Sequence, residues 1–134
     1  MFFFDGIATG IIATLIFDLF QFSMLYAYGI NKSKWDLIGR YFYYYLIEKK
    51  YFQENIISVL PIKNEIIYGY IVHYVIGAIF GLTYLVLNNI FFNIPSLFIA
   101  LLVGFLTVLG SWCVMMPYAF NMGFFASKKK IKKK

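Results

Sequence analysis

The sequence predicts an all-α membrane protein: an antiparallel bundle of three transmembrane helices with a cytoplasmic helix lying in the membrane interface. Three observations predict it. Of 134 residues, 62% are hydrophobic and only 13% are charged, against about 45–50% and about 25% in an ordinary soluble domain. The apolar residues gather in long runs rather than in period-2 alternation. Three of these runs supply the roughly 20 helical residues that cross about 30 Å of hydrocarbon. Such a composition excludes a secreted β-domain, a disordered tail and a nucleic-acid module, and it makes the lipid bilayer the first partner. The whole chain, 1–134, reads as a single integral membrane domain.

The first span covers about 2–28. No Lys or Arg precedes it and no small-residue cleavage site follows, so it is not read as a secretory signal. The second covers about 66–87 and the third about 95–117. Pro95 suits a helix start, and Pro117 should end or kink the third helix. Backbone groups inside lipid must be paired within the segment, so each span is helical. The connection 30–65 carries Lys32, Lys34, Arg40, Lys49, Lys50 and Lys63, and a basic tail fills 128–134, whereas the N-terminus and the Asn88–Ile94 connection hold no basic residue. The excess of Lys and Arg marks the cytoplasmic side, so the N-terminus is expected outside and the C-terminus inside. Within the connection, Trp35, Ile38, Phe42, Tyr45 and Leu46 recur at steps of three and four. That spacing suits a helix lying in the interface with its aromatics at headgroup depth. It equally suits Tyr41 to Tyr45 packing beneath the bundle.

A four-residue step shared by two spans carries the site prediction. Gly6, Gly10, Thr14 and Asp18 line one face of the first helix, and Gly69, His73, Gly77 and Gly81 line one face of the second. Small residues at this GxxxG-type spacing let helix backbones approach closely. In antiparallel register, Asp18 meets His73, Thr14 meets Gly77 and Gly10 meets Gly81. A carboxylate at this depth costs about 2.5–3.5 kcal/mol on insertion scales, so Asp18 must face water, be neutralised or pair. His73 can pair with it, and Gln21 lies one turn further along. Two readings stand: a proton-titrating or ligand-binding pair, or a polar clasp that fixes the two helices together.

The third span offers Ala100, Gly104, Thr107 and Ser111 as a small, polar face, expected in helix–helix contact. Ser111 joins Asp18, His73, Gln21 and Thr14 in the predicted polar site, and Gly104 joins the packing glycines. Cys113 excludes an intrachain disulfide because it is the only cysteine. Ser111 and Cys113 near His73 could form a nucleophile and base. Membrane hydroxyls ordinarily bond back to a carbonyl, however, and lone buried cysteines ordinarily pack. Met115 and Met116 read as filler at the Pro117 kink, with Asn121 beyond it. No Walker loop, dinucleotide fingerprint or zinc spacing occurs, so neither cofactor nor metal is expected.

The stretches Ala13-Thr14-Leu15-Ile16-Phe17-Asp18-Leu19, Ile38-Gly39-Arg40-Tyr41 and His73-Tyr74-Val75-Ile76-Gly77 carry a resemblance. It continues through Pro95-Ser96-Leu97, Gly104 to Val108, Met116-Pro117, Gly123 and Ala126-Ser127. Through them the chain resembles a bacterial membrane family catalogued as domain of unknown function 2938. The resemblance implies an inner-membrane protein without an established activity, and it brings no catalytic assignment. It also implies a glutamine beside the proline, where Met115 and Met116 stand here, and a fourth hydrophobic span, so that three spans would be an incomplete bundle.

The expected function is therefore an accessory or assembly component of the bacterial inner membrane without catalysis. Its partners would be lipid, a second copy or another membrane subunit, with no nucleic acid. The alternative is a transport-type protein handling a proton or small solute at Asp18 and His73; a membrane enzyme ranks behind both.

Overall fold

The computed structural model describes residues 2–30, 33–49, 56–92, 94–119 and 123. The basic tail 128–134, Lys32, Lys50 and Asn121 lie outside the described residues. All described secondary structure is helical: α1 (Phe2–Tyr28), α2 (Trp35–Leu46), a 3-10 turn (Ile56–Ser58), α3 (Glu65–Phe91) and α4 (Leu97–Gly110), which passes into a π-helical segment (Ser111–Ala119). Three helices are long and apolar enough to cross a membrane: Phe3–Tyr28, Glu65–Phe91 and Leu97–Pro117. Their outer faces leave Ile12, Ile16, Phe20, Ile71, Val75 and Leu101 exposed. Apolar exposure on this scale implies contact with lipid.

α1 ends where Gly29 adopts a left-handed conformation (φ 66°) and its N–H closes on the Leu25 carbonyl at 3.0 Å. The chain then folds back along α1, and the Ser33 N–H reaches Gln21 Oε1 at 2.7 Å. α2 starts beside the middle of α1 and descends antiparallel to α3. Asn64, with a left-handed backbone that Asn tolerates, opens α3 by accepting the Ile67 N–H at 2.9 Å. At the far end, Asn88 is buried and its Oδ1 accepts the Ser96 N–H at 2.8 Å, which folds the connection back into α4.

The packed unit is α1, α2 and α3, with α3 central. α4 leans on α3 alone among its substantial neighbours, and Ile99 and Val103, one turn apart, are its buried positions. Among the described residues, Gly104 and Ser111 do not make the expected contact with another helix of the chain. Both are exposed, and a Cβ added to Gly104 would meet nothing within 4 Å. The branched residues Ile99 and Val103 take the buried side of α4, and the small face turns away. Pro95 precedes the helix by two residues, with Ser96 as its N-cap. The third candidate span ends at Pro117, and the helical backbone runs on to Ala119. The backbone widens to π geometry from Ser111, six residues before the proline, and a widened turn accommodates a residue that has no N–H to donate.

Candidate functional site

On α1, Gly6, Gly10, Thr14 and Asp18 are the fully buried positions among the described residues, one per helical turn. They face the middle of α3, from His73 to Leu82. A Cβ on Gly10 would overlap the Gly77 carbonyl, one on Gly77 would overlap Thr14 Oγ1, and one on Gly81 would overlap the Gly6 carbonyl and the Gly10 backbone. The backbones therefore touch, which glycine alone permits here. Thr14 returns its hydroxyl to the Gly10 carbonyl at 2.8 Å, so it presents no free donor to the seam.

Asp18 closes this row. It is 7% exposed, and both carboxylate oxygens are occupied. His73 Nε2 lies 3.2 Å from Oδ1, and the Tyr74 hydroxyl donates to Oδ2 at 3.2 Å. With an ionised Asp18, the Nε2–H tautomer of His73 makes the donor. Consecutive residues of α3 thus clamp one carboxylate of α1, which offsets the cost of holding it at this depth.

Trp35 covers the imidazole from a third helix. Its indole stacks on His73 with ring centroids 3.8 Å apart and planes 25° from parallel. Phe17 of α1 lies beside the same ring, tilted, with centroids 6.1 Å apart. Trp35, which suited an interfacial and a packed helix equally, sits beside a residue eight positions into α3, about 12 Å along the helix. Gly69 explains how. It was expected in the α1 seam, but a Cβ there would overlap the Trp35 carbonyl, and one on Gly39 would overlap the Glu65 carbonyl. Gly39 and Gly69 form a second close seam, between α2 and α3.

Two other predicted members lie elsewhere. Gln21 uses its Oε1 for Ser33 rather than Asp18, and its buried Nε2 has no partner among the described residues. Ser111 is exposed at the start of the π-helical segment. Cys113 is a free thiol, partly exposed. Among the described residues, no group of three His, Cys, Asp or Glu side chains is placed to hold a metal ion.

A second polar centre, which the sequence reading did not single out, lies at the foot of α3. Arg40 is 6% exposed. Its Nε and terminal nitrogen bind both oxygens of Glu65 at 2.8 Å each, and its other nitrogen reaches the Val59 carbonyl at 3.0 Å and the Ile56 carbonyl at 3.4 Å. The Ile62 N–H adds 3.2 Å to Glu65, and the Tyr44 hydroxyl adds 3.2 Å to the Leu60 carbonyl. Hydrogen bonding to Glu65 raises the Arg40 pKa further above its already high value, so the guanidinium stays charged at any working pH. Beneath it, Ile56 is fully buried. Arg40 therefore staples segment 56–62 to α2 and α3.

Residues 7–134 match the family described as protein of unknown function (DUF2938). No curated protein and no solved structure matches the chain.

Proposed function

The chain belongs to the DUF2938 family, whose description assigns no activity, and on that premise we propose that it is a non-catalytic accessory or assembly component of the bacterial inner membrane. Its α1–α2–α3 unit would be a rigid membrane platform offered to another subunit or a second copy. In this reading the N-terminus lies outside, and the connection bearing Lys34, Arg40, Lys49 and Lys63 lies in the cytoplasm, as the asymmetry of basic residues supports. The GxxxG-type rows serve close packing within the chain.

One observation carries the proposal: Asp18 has a protein partner on each oxygen and closes the row along which α1 and α3 meet through glycines. A carboxylate saturated in this way supports a clasp more than a site waiting for a solute. The second reading, proton or small-solute handling, draws on the ionisable character of the same His73–Asp18 pair.

Reconstitution separates the two. Vesicles holding the purified chain and an internal pH-sensitive dye should dissipate an imposed pH gradient no faster than empty vesicles. The Asp18→Leu variant should unfold at a lower temperature in micelles. Since membrane hydrogen bonds average about 0.6 kcal/mol each, losing both should cost about 1 kcal/mol. Proton flux in the wild type that Asp18→Asn abolishes would overturn the assembly reading in favour of transport.

A further inference from the structure

The Trp35–His73 stack has no place in a permanent clasp. Asp18 is already held by His73 and Tyr74, yet the first residue of α2 lays its indole flat on the imidazole at 3.8 Å. The groups facing His73 come from every helix packed against it. α1 presents the Asp18 carboxylate and the Phe17 ring. α3 presents Tyr74 edge-on at 5.6 Å. α2 presents Trp35, whose other neighbour is Tyr70 at 6.2 Å. The nearest cation of α2, Arg40, is neutralised by Glu65. Asp18 is thus the one charge aimed at the imidazole among these groups.

We propose that His73 is a proton-operated latch for α2. Imidazolium gains on both faces of its environment at once: Asp18 at its edge supplies an opposite charge, and the indole beneath it supplies the negative face of a π-system. Neutral imidazole keeps the hydrogen bond and the apolar stack but loses both charge-dependent attractions. Protonation therefore draws the N-terminus of α2 onto the α1–α3 seam, and deprotonation relaxes it. The Gln21–Ser33 hydrogen bond lies just before α2, so the relaxed state moves Ser33 and Lys34 along with Trp35. The device needs no proton crossing the membrane, and it goes beyond the clasp, which needs no titration.

The composition of the chain makes the test direct, because it has a single histidine and two tryptophans. Full-length protein labelled with ¹³C,¹⁵N-histidine, in micelles, is titrated by NMR from acid to mildly alkaline pH. In parallel, a Trp112→Phe background leaves Trp35 as the sole indole, and its emission is followed over the same range. Imidazolium stacked on indole quenches it, so emission should rise in a one-proton step that coincides with the histidine titration. Asp18→Asn should lower that midpoint by about one unit or more, as expected for removing an adjacent opposite charge. Trp35→Leu, which leaves Asp18 in place, should also lower the histidine midpoint, and it gives a second variant if Asp18→Asn fails to fold. Trp35 emission without a step, or histidine midpoints unmoved by Trp35→Leu, would overturn the latch. Either result leaves the clasp standing, since the clasp is tested separately, by the stability of Asp18→Leu.

Discussion

Arg40 has the most connected side chain in the described protein, and its shape matters more than its charge. A guanidinium fork can bind both Glu65 oxygens and still reach the carbonyls of Ile56 and Val59; a lysine ammonium is a single point. Arg40→Lys should therefore lower the melting temperature in micelles although the charge is kept. Arg40→Met leaves a part-buried Glu65 without its cation and should cost up to about 3–5 kcal/mol, whereas Arg40→Met combined with Glu65→Met should recover most of that loss. A double variant no more stable than Arg40→Met would show that the carbonyl contacts, not the ion pair, hold the segment. In the sequence each partner looked ordinary: an arginine among cytoplasmic basic residues and a glutamate at the edge of a span. They stand 25 positions apart, and no local periodicity links them. Asp18 and His73 were legible because a charge inside an apolar run must find a partner, and the shared four-residue step leaves one helix face on which to find it.

At the scale of elements, glycine decides which helices dock. Cβ atoms at Gly39 and Gly69 would run into the carbonyls of Glu65 and Trp35, and backbone cannot rotate aside. Gly39→Ala and Gly69→Ala should each destabilise the α2–α3 contact by about 1–3 kcal/mol, the usual range for overpacking, measured by thermal unfolding in micelles. Gly104→Ala is the control. It has open space around it, so the helix propensity of alanine should leave stability unchanged or raise it by up to about 1 kcal/mol. If all three variants behave alike, close approach is not what the glycines provide. Spans and seam were readable from length, hydropathy and spacing. The docking of α2 was not, because Trp35 on an amphipathic helix satisfies an interfacial pattern and a buried one equally well. Its fate depends on the chain folding back at Gly29, which places Ser33 beside Gln21 before the helix begins. The small face of α4 misled for the opposite reason. Small residues permit close packing without requiring a neighbour, and here Ile99 and Val103 supply the buried side.

At the scale of the whole molecule, the antiparallel pairing of α1 and α3 fixes relative sidedness without any reference to a membrane. Gly6 lies beside Gly81 and Leu82, and Asp18 lies beside His73, so the start of α1 and the end of α3 emerge together. Asn89 therefore shares a side with the N-terminus, and Lys63 shares a side with Gly29. The proposed orientation rests on charge: Lys34, Arg40, Lys49 and Lys63 all fall between α1 and α3, while residues 88–95 of the sequence hold no Lys or Arg, and basic flanks favour the cytoplasm. In a Cys113→Ala background, an Asn89→Cys thiol should react with a membrane-impermeant maleimide on intact spheroplasts. A Lys63→Cys thiol should react only after the membrane is permeabilised. Both positions are exposed, so burial in the protein would not mask either thiol. The reverse pattern would overturn the orientation while leaving the fold intact. Labelling of both thiols from the same side would contradict α3 as a membrane span, and with it the placement inside the bilayer of the Asp18–His73 contact on which the clasp and the latch both depend.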